Sequence, residues 1–375
     1  LVGLLSGCAN GVIIDPNPDG GRRSDGGDGG GSGASYWVAT PATVSVVTTE
    51  GFTADSHRQW KRDPHYYSDG TTQYLFLSGS AINKESWSVS YFTQAATGTL
   101  SNQSNWTLAL TGTAGTWYSG DITGPSLGSA KTLYFAANVD PTNPNPTRPD
   151  YVFEIGRATF DGVSYKAAAT PALSVPTFTG STANDTPTTA RPDAYGVMDP
   201  WILNDGNTTN VTMYYAGLDC STGTCKFQIF RTVSTDGGVT FPPGSVVLSG
   251  RAGVADEAGG VAGPSVIVRN GQYILAYTAV KTAPSKNRVS IRSALTTGTV
   301  GVAVSTDGIS FTNNSFDGSS VITRVGGNYH TEGASSPTLY MDVTNAVHSY
   351  FCGYHNESDG ESYNLATAEW AQMTK

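Results

Sequence analysis

Met198-Asp199-Pro200-Trp201-Ile202-Leu203, a polar stretch, and then Val211-Thr212-Met213-Tyr214-Tyr215-Ala216-Gly217 form one copy of a phrase that recurs five times along the chain. Its elements are a proline behind an acidic or small residue, a short apolar run, a polar turn, and a second apolar-aromatic run ending in small residues. The other copies start at Asp63-Pro64-His65-Tyr66-Tyr67, Gly124-Pro125-Ser126-Leu127, Gly263-Pro264-Ser265-Val266 and Ser336-Pro337-Thr338-Leu339. Their second runs are Tyr74-Leu75-Phe76-Leu77, Leu133-Tyr134-Phe135-Ala136, Tyr273-Ile274-Leu275-Ala276 and Val347-His348-Ser349-Tyr350-Phe351. Successive prolines lie 61, 75, 64 and 73 residues apart, room for about four strands each. Further strands are visible inside these intervals, such as Tyr151-Val152-Phe153-Glu154-Ile155 and Phe227-Gln228-Ile229-Phe230-Arg231.

Four strands per repeat, five times over, predict an all-β fold, a five-bladed β-propeller. The first strand of each repeat lines the axis, where a proline at the strand start need not donate to the ladder. A β-sandwich with similar turns is the competing fold, and it does not predict five copies of one phrase. Composition agrees. Of 375 residues only 14% are charged, while 45 are Gly and 19 Tyr. Aromatic and β-branched residues suit a pleated surface, and glycine supplies the positive φ of tight turns. The net charge of −9, with 21 scattered basic residues, offers no basic stripe and argues against a nucleic-acid partner.

The beginning of the sequence reads differently. Leu5-Ser6-Gly7-Cys8 closes an apolar opening and resembles the lipobox of bacterial lipoproteins. That likeness implies a signal-peptide remnant at residues 1–7, lipidation of Cys8, and a protein exported and lipid-anchored to the bacterial cell envelope or cell surface. Residues 8–36, rich in Gly, Asp and Ser, are expected to be a flexible tether, with residues 37–375 as the propeller domain and a monomer as its state. Cys220 and Cys225 flank Ser-Thr-Gly-Thr and could close a small disulfide loop; Cys352, in an apolar strand, is expected to be a buried thiol.

Ser234-Thr235-Asp236-Gly237-Gly238-Val239-Thr240-Phe241 resembles the Asp-box of sialidases and other propellers, and Ser305-Thr306-Asp307-Gly308-Ile309-Ser310-Phe311 is a shorter cousin. Such turns are structural, so no chemistry is assigned to them. Chemistry is expected at the axis, where Asp63 and Asp199 break the pattern of Gly124, Gly263 and Ser336. Two carboxyl groups flanking a sugar bond, one acid and one base or nucleophile, are what glycoside cleavage requires.

With its five repeats, its first-repeat Lys61-Arg62-Asp63-Pro64 and its third-repeat Met198-Asp199-Pro200-Trp201, the chain resembles the family 43 glycoside hydrolases and their relatives in families 62, 32 and 130, over residues 55 to 370. The likeness implies an inverting hydrolase with Asp63 as general base and Asp199 tuning the acid. The general acid of that pattern falls at position 262, which is Ala262 here. Glu257 and Glu332 are the substitutes left open. Trp60, Arg62, Trp201 and His330 are candidate sugar contacts, and an oligo- or polysaccharide is the expected partner. No cofactor is expected; a central Ca²⁺ is possible, but no ligand spacing demands one. A non-catalytic propeller lipoprotein that binds glycan, or another surface partner, with the same pocket is the alternative, and a sialidase is a third reading that would prefer six blades, an arginine cluster and a Tyr nucleophile.

Overall fold

The computed structural model describes residues 35–41, 60–80, 87–95, 106–140, 148–315, 320–322, 333–357 and 360–374. It begins with strand β1 (Ser35–Pro41). Four antiparallel meanders of four strands follow. The first is β2 (Trp60–Ser68), β3 (Thr72–Ser80), β4 (Ser88–Ala95) and β5 (Thr107–Leu110); the second is β6 (Ile122–Leu127), β7 (Thr132–Ala137), β8 (Glu154–Phe160) and β9 (Tyr165–Ala167). The third is β10 (Val197–Ile202), β11 (Val211–Asp219), β12 (Lys226–Ser234) and β13 (Ser245–Ser249); the fourth is β14 (Gly260–Arg269), β15 (Gln272–Val280), β16 (Thr299–Ser305) and β17 (Thr312–Asn313). A single parallel bridge, Phe227 to Gly260, joins these last two into one eight-stranded sheet. The chain ends in β18 (Gly333–Met341), β19 (Val347–Glu357) and β20 (Gly360–Thr374), and β1 pairs with β20 to bring this group to four.

The repeated phrase follows from burial. The second strand of each meander is covered on both faces, so β7 and most of β3, β11 and β15 are buried at consecutive positions. A strand so placed reads as a continuous apolar run instead of an alternating one. The first strands touch in sequence, β2 to β6, β6 to β10, β10 to β14, β14 to β18 and β18 back to β2, and so form a closed circle.

Two of the turns stitch neighbouring meanders. The Tyr134 hydroxyl donates to the Gly238 carbonyl at 2.9 Å and that of Tyr214 to Gly308 at 2.7 Å. Phe241 and Phe311 stand edge-on to the same tyrosines. Asp236 holds its turn by accepting the Val239 and Thr240 N–H groups, and Asp307 does the same for Ile309 and Ser310. The Cys220 and Cys225 sulfurs are joined across a short loop, their Cα atoms 4.0 Å apart, and Cys352 is a buried thiol.

Among the described residues one α-helix and two single-turn 3₁₀ segments depart from the all-β expectation. Helix α1 (Arg288–Thr296) sits between β15 and β16. Asn287 caps it, its side chain accepting the Val289 and Ser290 N–H groups. Ile291, Ala294 and Leu295, spaced three and four apart, give it one apolar face, which is buried. Strand β1 starts at Ser35, two residues before the expected domain boundary. Cys8 and the stretch expected to be a tether, up to Ala34, lie outside the described residues.

Candidate active site

Each of the five first strands carries a register shift at its Xaa-Pro step, between Arg62 and His65, Thr123 and Ser126, Met198 and Trp201, Ala262 and Ser265, and Ser335 and Thr338. The residue before each proline has positive φ: Asp63 52°, Gly124 57°, Asp199 49°, Gly263 54° and Ser336 49°. This left-handed conformation explains why Gly fills two of the slots. It is costly for other residues, with Asp and Asn among the better tolerated. Together the five steps line one cavity of about 30 Å³, room for roughly one water molecule.

Neighbouring steps touch around this ring. Gly124 N–H approaches Asp63 Oδ2 at 3.4 Å, the Gly263 N–H bonds Asp199, and the Ser336 hydroxyl donates to Asp63 Oδ1 at 2.8 Å. Asp63 and Asp199, expected at one mouth of the axis, are thus brought into one cavity, 5% and 9% exposed. The asymmetry continues one residue further on. After Pro125, Pro264 and Pro337 come hydroxyls that accept an N–H of the next first strand: Ser126 from Ile202, Ser265 from Leu339 and Thr338 from Tyr66. After the two Asp-Pro steps come rings, His65 and Trp201, which meet edge to face at 4.9 Å. Burial pushes the His65 imidazole down to about 3, so it is neutral.

The two carboxyls differ. Arg62 is buried and its Nε donates to both Asp63 oxygens at 3.0 and 2.9 Å. Burial, then the charge of Asp63, push Asp199 up to about 7, against the pull of Arg62 and the Gly263 N–H. The reason is charge balance: one guanidinium can neutralise one carboxylate, and a proton on the other leaves the buried cluster neutral. Environments that split two neighbouring carboxyls in this way are those that assign acid and base roles.

Helix α1 stands near this ring, with Ile291, Ala294 and Leu295 in one apolar cluster with Met198 and Ala262, the residues before Asp199 and Gly263, while no α1 residue lines the cavity itself. Arg292 ion-pairs with the fully buried Asp121, just ahead of β6, and Arg288 lies 4.0 Å from the same carboxylate. Asp121 also accepts the Trp87 N–H at 3.1 Å. Arg292 and Arg62 both stand within cation–π range of the Trp87 ring, at 5.9 and 5.3 Å. Past the helix, the Gly298 carbonyl accepts the Ala334 N–H of β18.

Other expected site residues fall elsewhere. Glu257 does not join the cavity. It is buried against Arg251 (2.6 Å) and accepts the Tyr277 hydroxyl at 2.9 Å. Burial raises its pKa, but the Arg251 side chain and N–H outweigh that and hold the carboxyl below its usual range, the reverse of what a general acid needs. Arg251, six residues earlier, is the partner that fixes it. Arg62 is buried as the counter-ion of Asp63 and is not an exposed sugar contact. Trp201 forms a wall of the cavity, its indole N–H donating to the Val266 carbonyl at 2.8 Å. Trp60 opens β2, with its side chain outside the described set, and His330 and Glu332 lie outside the described residues. Among the described residues no third carboxylate lines the cavity, and no cluster of three or more His, Cys, Asp or Glu could hold a metal ion. Ser336, Trp87, Asp121, Arg288 and Arg292 were not singled out from the sequence. The slot shared with Asp63 marks Ser336, and the spacing of the α1 face marks the arginines' helix.

No family model matches the chain, and no curated protein matches it. Solved structures do. One, a complex of BT0996 with RGII, has 13% identity and a TM-score of 0.57, over 90% of this protein and 91% of its own length. The α-L-arabinofuranosidase PaAbf62A from Podospora anserina, in complex with cellotriose, has 11% identity and a TM-score of 0.51, over 90% and 97%. Zg3597, a family 117 glycoside hydrolase of the marine bacterium Zobellia galactanivorans, has 12% identity and a TM-score of 0.51, over 90% of each protein. At such identities the likeness is one of fold: a nearly all-β protein whose structural neighbours are glycoside hydrolases of the propeller type.

Proposed function

We propose that the five meanders are the blades of a five-bladed propeller and that this is a carbohydrate-active protein, a glycoside hydrolase acting on polysaccharide side chains. The observation that carries the reading is the Asp63–Asp199 pair. Gly is the cheaper residue at a left-handed slot, and a buried carboxyl is expensive. Two of five equivalent slots nonetheless hold acids, in one cavity, with one charge neutralised by Arg62 and the other carboxyl held up to about 7. Strain and burial placed together on two of five repeats are a cost that function explains. In this reading Asp63 takes the proton of the attacking water, and the sugar carbon inverts. Asp199 orients the acid or supplies the proton itself, with Glu332 the other candidate donor. Arabinofuranosyl side chains are the substrate class that the arabinofuranosidase among the named neighbours suggests.

The test runs wild type and Asp63→Asn on aryl glycosides and on arabino- and xylo-oligosaccharides. Asp63→Asn should lose at least 100-fold in turnover. Full activity in Asp63→Asn refutes the site. Ala262 at the expected acid position favours a second reading, glycan binding without hydrolysis. No turnover by wild type, with oligosaccharide binding retained, decides for it. Export and a lipid anchor on Cys8 belong to the same proposal. A Cys8→Ser variant that still partitions with membranes would remove that part.

A further inference from the structure

The stitch formed by Tyr134 and Tyr214 has a third counterpart that fails. Thr159-Phe160-Asp161-Gly162-Val163-Ser164-Tyr165 aligns residue for residue with Ser305-Thr306-Asp307-Gly308-Ile309-Ser310-Phe311. Asp161 accepts the Val163 and Ser164 N–H groups at 2.9 and 2.8 Å, as Asp307 accepts those of Ile309 and Ser310. By the same placement Tyr74 should bond Gly162, as Tyr134 bonds Gly238 and Tyr214 bonds Gly308. It does not. A Cβ on Gly162 would meet nothing within 4 Å, whereas one on Gly308 or Gly238 would strike the tyrosine hydroxyl. The Tyr74 hydroxyl turns instead toward Asp69 Oδ2, at 3.4 Å.

The unstitched cleft between the first two meanders holds a cavity of about 470 Å³, within the range of small-molecule sites. Its walls are Tyr74, Tyr91, Phe160 and Tyr165, with exposed Thr93 on its rim. Tyr91 and Phe160 are half-buried, one stacked on Phe76 and the other lying under Lys131, and each leaves part of its ring toward the cavity. Over it stands Lys131, with Nζ 5.7 Å from the ring centres of both Tyr74 and Phe160. Lys131 and Ala130 before it both have positive φ, 56° and 53°, in a connection that could turn more cheaply through glycine. Strain in two consecutive non-glycine residues is the kind found at ligand clamps, and it accompanies an ammonium that bonds the Tyr74 hydroxyl and stands over two rings. The cavity lies at the strand ends opposite those of the Asp63 ring: Thr72 opens β3, while Ser78, near its far end, pairs with Arg62.

We infer that this cavity is a second, non-catalytic glycan-binding site, which takes one sugar ring of a polysaccharide. Aromatic faces match the C–H face of a pyranose, while the threonine hydroxyls and the Lys131 ammonium match its hydroxyl edge. The choice of a sugar rests on the carbohydrate reading above; the site itself does not depend on Asp63. Native electrophoresis of the full-length protein through gels containing arabinoxylan, rhamnogalacturonan or hydroxyethyl cellulose tests it. At least one polysaccharide should retard wild type and Asp63→Asn alike. Lys131→Ala and Tyr91→Ala, each verified as folded by circular dichroism, should weaken that retardation fivefold or more. Lys131→Ala alone decides the matter if Tyr91→Ala fails to fold. The inference is overturned if no polysaccharide retards wild type, if Lys131→Ala migrates as wild type, or if folded Asp63→Asn loses retardation. Retardation without turnover leaves this site standing while the hydrolase reading falls.

Discussion

Asp199→Asn should make the protein more stable at pH 8 and remove a pH dependence that wild type shows. Asp199 titrates at its ordinary 3.8 in the unfolded state and at about 7 when folded, because burial and then the Asp63 charge oppose its ionisation. Below about pH 4 both states hold the proton and nothing is lost. Between about 4 and 7 the unfolded state has released it and the folded protein has not, so stability falls as pH rises. Above about 7 both have released it and the loss is complete. At about 1.36 kcal/mol per pH unit, the span is on the order of 4 kcal/mol, a large part of a typical stability of roughly 5–15 kcal/mol. Asparagine keeps the shape, accepts the left-handed backbone and carries no charge to bury. Urea titrations of wild type and variant at pH 5, 6, 7 and 8 give the difference directly. The variant's advantage should grow from pH 5 to pH 8 and shift the midpoint by roughly 1 M at the top. Equal midpoints for the two proteins at every pH would refute the reasoning about the cluster.

Three more outcomes follow from the structure. Asp121→Ala leaves Arg288 and Arg292 without their buried carboxylate and should cost about 3–5 kcal/mol, read as a lowered urea midpoint, while Asp121→Asn should cost less. Asp236→Asn keeps one acceptor oxygen but puts an NH2 donor where Oδ2 accepts the Thr240 N–H and hydroxyl, and should lower the melting temperature without changing glycan turnover or binding, whichever the protein displays. Thiol labelling of native, unreduced protein should leave Cys220 and Cys225 unmodified and reach Cys352, whose thiol burial pushes up to about 12, only in denaturant.

Much of the fold was legible because its repeat is a chemical one. A proline at each bulge and a second strand buried on both faces leave the same marks five times, and a carboxylate in a slot otherwise held by Gly or Ser stands out. What escaped was set by burial and side-chain direction. Arg62 adjoins Asp63 and Arg251 stands six residues before Glu257, but adjacency alone does not tell that either guanidinium turns onto its neighbour and is spent there. Helix α1 was hidden by the strand-rich background, although the spacing of Ile291, Ala294 and Leu295 behind Asn287 was a local sign of it. The positive φ shared by the five slots was out of reach too, since Asp-Pro and Ser-Pro alone read as ordinary turn pairs.

The pairing of β1 with β20 has its own consequence for how the protein is made. These strands come from opposite ends of the domain, and closing a loop of that length costs about 5 kcal/mol in conformational entropy. Hairpins such as β2–β3 close for much less. During synthesis β1 emerges before the other described strands and β20 after them, so Trp37, buried in the finished sheet, waits on an unpaired edge until the strands between have been made. In a concentrated refolding mixture the β20 of a second molecule is an equally good partner for that edge. Exchange of the first strand between two molecules is therefore the error to which this architecture is most exposed, and dilution is its remedy.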